Sequence, residues 1–208
     1  MHGRLWLRIC SLVASGCLLS ACWGGDDEKS YDCSVFPPAQ SSAYILPWHV
    51  GQTYVARPHA AREASPTRYA IDVPMPIGTH ILASRAGVVI GVIENYVDGD
   101  NTLGHENWVF VRHEDNTVGA YAHLTNMGAM VEEGESVAQG ALIGLSGHTG
   151  NSTQPHLHFD VRPACPGGQP CASLPSDTVP LNFRNAQPSR GDLSCGLRAG
   201  VSYTALAE

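Results

Sequence analysis

Apolar and polar positions alternate in short runs through most of the chain, and glycines and acidic clusters break the runs apart. Val88-Val89-Ile90-Gly91-Val92-Ile93 reads as a buried strand between Gly87 and the polar Asp98-Gly99-Asp100-Asn101 loop. Trp108-Val109-Phe110-Val111 and Gly119-Ala120-Tyr121-Ala122-His123 read as a hairpin turning at Glu114-Asp115-Asn116, followed by strands over Ala141 to Leu145 and His156 to Val161. Val179-Pro180-Leu181-Asn182-Phe183 reads as a return strand, with irregular chain after it. No segment carries the 3.6-residue period of an amphipathic helix, and no internal repeat is present. Short strands at regular spacing, with turn residues between them, predict an all-β sandwich or barrel.

The N-terminus departs from this texture. Arg4 and Arg8 precede an apolar run from Leu5 to Leu19 that is too short to span a bilayer, and Leu19-Ser20-Ala21-Cys22 follows. That box resembles a bacterial lipoprotein cleavage site, which implies removal of residues 1–21 and a diacylglycerol on Cys22. Residues 22–42 are polar, acidic and rich in Gly, Pro and Ser, as expected of a flexible tether carrying a domain of residues 43–208. Trp23 after the lipidated cysteine, rather than aspartate, favours the periplasm-facing side of an outer membrane.

Removing the first 21 residues takes Arg4 and Arg8 and leaves ten basic against nineteen acidic side chains, a net charge of −9. Lys29 is the only lysine. This balance excludes nucleic acid as a partner and electrostatic docking on anionic lipid, so membrane attachment falls to the acyl chains. Four of the seven cysteines remain beyond Cys22: Cys33, Cys165, Cys171 and Cys195. An even number in an exported chain predicts two disulfides. Of three connectivities, Cys165–Cys171 across a short Pro/Gly loop with Cys33–Cys195 joining the ends of the domain is preferred.

The chemistry centres on Pro155-His156-Leu157-His158-Phe159. On a strand, Leu157 and Phe159 share one face and both histidines the other, spaced about 6–7 Å, which suits one metal ion and its reacting water. Gly144-Leu145-Ser146-Gly147-His148-Thr149-Gly150 lacks the Gly-Lys-Ser/Thr ending and following helix of a phosphate loop. There is also no Gly-x-Ser-x-Gly nucleophile elbow and no cysteine placed for thiol catalysis.

Taken in order, Tyr69-Ala70-Ile71-Asp72, Pro76-x-Gly78-Thr79, Val111-x-His113, Tyr121-Ala122-His123-Leu124, the Gly144–Gly150 loop and Pro155 to Phe159 resemble the lysostaphin/LytM-type zinc metallopeptidases. The resemblance covers roughly Tyr44 to Phe183. It implies a lysostaphin-type (duplicated hybrid motif) antiparallel β-sandwich or open barrel, a Zn2+ cofactor and hydrolysis of peptide cross-links in bacterial peptidoglycan. It makes Asp72 and His158 zinc ligands and His123 and His156 the catalytic pair beside the reacting water. Gln154 stands where the family usually has glycine. Arg68 stands where the common pattern has its first histidine ligand, and it cannot bind zinc. His59 is the choice for that ligand, with Glu63 and His49 as alternatives. His148 is expected at the rim, and His80, His105 and His113 as surface or hydrogen-bonded histidines. The same resemblance leaves a second reading open, a metal-free module that binds and regulates other wall hydrolases.

Overall fold

A computed structural model describes residues 32–59, 66–163 and 177–208. Thirteen strands lie among the described residues: β1 (Thr53–Val55), β2 (Arg57–Pro58), β3 (Ile71–Pro74), β4 (His80–Leu82), β5 (Gly87–Ile93), β6 (Trp108–Arg112), β7 (Val118–Ala122), β8 (Leu124–Ala129), β9 (Ser136–Val137), β10 (Leu142–Ser146), β11 (His156–Arg162), β12 (Ala186–Pro188) and β13 (Ser202–Ala205). They form a seven-stranded sheet in the order β2-β3-β11-β7-β6-β5-β9 and two three-stranded sheets, β4-β10-β8 and β1-β13-β12. Every pairing between these strands is antiparallel. Helix among the described residues is limited to two single 3-10 turns, Cys33–Val35 and Ala39–Ser41. The all-β architecture expected from the alternation is the one observed, and its sheets are antiparallel and open as the family resemblance implies.

Alternation fixes what each face of the large sheet does. Leu157, Phe159 and Val161 of β11 point with Ile71 and Val73 of β3, Tyr121 of β7 and Val109 and Val111 of β6 into one core. Leu46, Trp48, Ile81, Leu124 and Ile143 complete it, all at 1% exposure or less. Burying each such side chain stabilises by about 1.5–3 kcal/mol before chain entropy is counted. The opposite face carries His156, His158, Asp160 and Arg162 at alternate positions of β11.

Two expectations fail after Val161. Val179 to Phe183 is not a strand, although the Val179 N–H donates to the Val161 carbonyl at 2.8 Å. Pro163 and Pro180 have no N–H to give to a ladder, which works against a continuous strand pairing here. The stretch expected to be irregular instead supplies β12 and β13, which pair with each other, and β13 pairs in turn with β1 from the N-terminal side. Tyr203 and Ala205 put this small sheet into the common core.

Residues 32–42 of the segment assigned to the tether lie against the domain. Cys33 is disulfide-bonded to Cys195, the Ser42 hydroxyl donates to the Asn182 carbonyl, and Asn182 Nδ2 donates to the Pro37 carbonyl at 2.7 Å. Composition made this stretch look flexible because its partners lie about 140 to 160 residues away, beyond any local pattern. Cys165 and Cys171, and with them the second proposed disulfide, lie outside the described residues, as do Cys22 and the N-terminal segment.

Candidate metal centre

Register assembles the site. His158 on β11 pairs with Asp72 on β3 and with Ala122 on β7, while Trp108 on β6 pairs with Ala122. Directly opposed residues on antiparallel strands share a face with Cβ atoms about 5 Å apart. Asp72, His158 and Trp108 therefore form a row, and the small side chain of Ala122 leaves the space in which His158 lies edge-on to Trp108 at 6.1 Å. The next row holds Asp160, Ala120 and Phe110. Arg57 pairs with Asp72 at the sheet edge, and the His59 N–H bonds the Ala70 carbonyl at 2.9 Å, which brings His59 to the end of the first row.

His59 Nε2 lies 3.3 Å from Asp72 Oδ2, and His158 Nδ1 lies 2.9 Å from Asp72 Oδ1. One donor atom from each of these three residues falls within 4.8 Å of the other two. Two ligands of a tetrahedral zinc with bonds of about 2.0–2.1 Å stand roughly 3.3 Å apart, so a small contraction of this triangle would hold the ion. Side-chain exposure drops from 39% at His59 through 26% at Asp72 to 7% at His158, so solvent reaches the centre from the His59 side.

His158 stands between two carboxylates, with Nε2 3.2 Å from Asp160 Oδ2. Burial alone would lower its pKa, but hydrogen bonds to Asp160 and Asp72 outweigh burial and lift it to about 9. Burial likewise opposes the charge on Asp72, yet the His158 hydrogen bond keeps its pKa low. Asp160 is fully buried, and His158 with Arg162 holds it ionised against that burial. Arg162 Nε donates to Asp160 Oδ1 at 3.1 Å while its guanidinium stacks over Trp108 and Phe110. The pocket is thus built to keep a positive charge beside Asp72, and a metal ion satisfies that demand as well as a proton does. A histidine ligand whose second nitrogen faces a carboxylate is the usual support of a zinc site.

His123 and His156 flank this triangle, their rings 4.4 Å apart. The Thr149 carbonyl, 2.6 Å from His123 Nδ1, accepts and cannot donate, so Nδ1 carries the proton and Nε2 is left open. The Gln154 carbonyl, 2.8 Å from His156 Nδ1, does the same for His156, whose Nε2 lies 3.7 Å from Asp72 Oδ1. Ser152 Oγ donates to that carbonyl and lies 2.9 Å from His148 Nδ1 and 3.2 Å from His156 Nδ1. Burial lowers the pKa of both members of the pair, to about 4 for His123. Both are neutral acceptors at neutral pH.

Of the residues singled out from sequence, His59, Asp72, His123, His156 and His158 come together here. His49 does not; its Nε2 lies 3.0 Å from His80 Nδ1 on an exposed surface. Glu63 lies outside the described residues. His105 stacks on Tyr96 and sits 2.7 Å from Asp100, and His113 is buried against the Ala86 carbonyl. Asp160 was missed by the sequence reading, although extending the alternation of His156 and His158 by one more step reaches it.

The model of Peptidase family M23 matches residues 66–171, half of the chain. The chain belongs to Peptidase family M23. Asp72, His123, His156 and His158 lie within the M23 match, and His59 precedes it. Peptidoglycan DD-endopeptidase ShyA of Vibrio cholerae serotype O1 is 37% identical over 90 residues, covering 43% of this chain and 19% of that protein. The lipoprotein YgeR of Escherichia coli is 33% identical over 105 residues, 50% of this chain and 38% of that one. The chain therefore spans about a fifth of the first relative and well under half of the second. Among solved structures, the catalytic domain of the antimicrobial peptidase lysostaphin from Staphylococcus simulans superposes with a TM-score of 0.39 at 28% identity, covering 55% of this chain and 80% of that one.

Proposed function

We propose that this M23 peptidase is a zinc metalloendopeptidase that hydrolyses peptide cross-links of bacterial peptidoglycan, held in the cell envelope by a lipid on Cys22. The observation that carries the reading is the arrangement about Asp72, with two imidazoles within 3.3 Å of its carboxylate and a further pair beside it. Membership of family M23 and the likeness to a protein named peptidoglycan DD-endopeptidase support the reaction and substrate. The lipobox, Trp23 and the likeness to YgeR support an exported lipoprotein on the periplasm-facing outer membrane.

His59 Nε2, Asp72 and His158 Nδ1 are the zinc ligands in this reading, and Asp160 orients His158. Zinc supplies Lewis acidity at the scissile carbonyl and eases deprotonation of water. His123 and His156 handle the proton. An open Nε2 takes it from the attacking water as the new C–O bond forms, and the resulting imidazolium gives it to the amine nitrogen as the C–N bond breaks. Asp72, 3.7 Å from His156, favours the transient positive charge on the pair.

Zinc content of the full chain, measured together with peptides released from purified peptidoglycan, tests the proposal. His59→Ala should lose both, because two remaining protein ligands hold zinc weakly. His123→Ala should keep the metal and lose turnover by about 10²–10⁴-fold, the usual worth of a general acid–base. His49→Ala and Glu63→Ala should retain both. A His59→Ala protein that binds zinc stoichiometrically and still cuts would overturn the ligand assignment. A wild-type chain without zinc or released peptides would leave the regulatory module in its place.

A further inference from the structure

His123 has a backbone φ of +59°, in the left-handed region that non-glycine residues rarely enter. It sits between β7 and β8, where the chain must turn within a single residue while its imidazole faces the site. Such a conformation persists only where the surroundings over-determine it. Here the surroundings are two polar residues at 0% exposure, Asn107 just before β6 and Thr149 in the glycine loop.

Their hydrogen bonds leave little freedom. Thr149 Oγ1 donates to the Leu124 carbonyl at 2.9 Å and accepts from the Asn107 N–H at 3.0 Å. Asn107 Nδ2 lies within donating distance of the carbonyls of Tyr96 at 2.9 Å and of Leu124 and Thr125 at 3.2 Å, while its Oδ1 accepts from the Tyr96 N–H at 3.0 Å. The Leu124 N–H reaches the Asn107 carbonyl at 3.3 Å. Leu124, the residue just after His123, is thereby fixed through both its N–H and its carbonyl. The same Thr149 presents its own carbonyl to His123 Nδ1 at 2.6 Å. A single residue thus pins the backbone next to His123 with its hydroxyl and the ring with its carbonyl.

We propose that Asn107 and Thr149 are positioning residues for hydrolysis: they lock His123 in its left-handed turn and its Nδ1–H form, aiming Nε2 at the reacting water. The kinetic part of this rests on the peptidase reading above; the tautomer part does not. Neither residue touches Asp72, His59 or His158 in the hydrogen-bond network, so metal binding should be indifferent to the clamp.

The test uses the zinc-loaded full chain. Thr149→Val keeps the shape and removes the hydroxyl; kcat should fall about 100-fold, as for a catalytic group misplaced by about an ångström, with KM within about twofold and zinc stoichiometry unchanged. Imidazole ¹⁵N shifts of His123 should show one Nδ1–H form in wild type and a mixture in Thr149→Val. Thr149→Ser, which restores the hydroxyl, should recover both. Wild-type His123 protonated at Nε2, or a folded Thr149→Val with wild-type kcat and shifts, overturns the proposal. Should Thr149→Val not fold, a single Nδ1–H form in both wild type and Thr149→Ser supports the clamp, and Nε2–H in either overturns it. A wild-type chain that cuts nothing but loses its Nδ1–H form in Thr149→Val would end the peptidase reading and leave the clamp standing.

Discussion

His158 lies directly across from Asp72 in the β3–β11 register, and its Nδ1 is 2.9 Å from the Asp72 carboxylate. Eighty-six residues of chain separate the two, yet strand pairing alone sets their distance. The opposite nitrogen of His158 meets Asp160, two residues further along the same strand and therefore on the same face. One imidazole is held from both sides by groups that secondary structure positions without help from loops.

Asp160 should consequently tune the metal without touching it. Asp160→Asn removes the charge behind His158 and leaves Arg162 without its carboxylate, while preserving side-chain volume. Zinc affinity should drop about 10- to 100-fold, the usual cost of losing such a partner. Competition against a chromophoric chelator measures it, and an affinity equal to wild type would show that Asp160 serves only to neutralise Arg162.

The strand alternation made the large sheet legible, and with it the common face of His156 and His158, because one residue type every second position is a local signal. Asp72 and His123 were legible only through an ordered set of short motifs. The glycine loop was recognisable, but its use was not: Gly144 to Gly150 brings the Thr149 carbonyl to His123, a contact across 26 residues with no periodicity to betray it. The β1-β13-β12 sheet was invisible for the same reason, since three short strands from opposite ends of the chain gain their meaning only on pairing. His59 could be chosen but not settled, because its approach to Asp72 depends on the edge pairing of the two-residue β2 with β3.

The pH dependence of stability should carry a signature of His113. Its Nδ1–H donates to the Ala86 carbonyl at 2.9 Å, and Nε2 is buried with no hydrogen-bond partner among the described residues. Burial pushes its pKa down, the Ala86 carbonyl and Asp115 favour the charged form, and Arg85 opposes it. The folded state therefore prefers neutral His113, whereas the unfolded chain takes up a proton near pH ~6.5. This contribution is fully present above that pH and is lost as pH falls through it towards the depressed folded value. Denaturant midpoints of wild type and His113→Asn should differ in slope between about pH 7 and 5, the wild type falling more steeply. Parallel curves would remove His113 as the cause.

The Cys33–Cys195 bond closes a loop spanning a sequence separation of 162 residues, and chain entropy assigns such a crosslink about 5 kcal/mol as an upper figure. The segment it secures runs into β1 and β2 and so towards His59. Cys33→Ser with Cys195→Ser should lower unfolding free energy by several kcal/mol while leaving the family-matched core folded. Peptide mapping without reduction should recover Cys33 joined to Cys195, and we expect Cys165 joined to Cys171. Four free thiols in envelope-extracted protein would defeat the whole disulfide assignment.

Gly147 offers a separate handle on the catalytic pair. It bridges to His156, whose N–H reaches the Gly147 carbonyl at 3.2 Å, and it presses against the chain just after His123. A Cβ at position 147 would come within 2.3 Å of the Thr125 nitrogen and 2.5 Å of its Cα, and backbone atoms cannot swing aside as a side chain can. Gly147→Ala must therefore push the start of β8 away from the loop, displacing His123 and His156 relative to each other. Overpacking of this kind costs about 1–3 kcal/mol of stability, and a shift of about an ångström in the pair should cost turnover about 100-fold. Zinc should stay, since His59, Asp72 and His158 belong to β2, β3, β11 and their flanks. Gly134→Ala provides the control: nothing lies within 4 Å of its added carbon, so only the strain of φ +90° is introduced, far from the pair. Equal turnover in Gly147→Ala and Gly134→Ala would mean that the close approach at Gly147 does not set the spacing of His123 and His156.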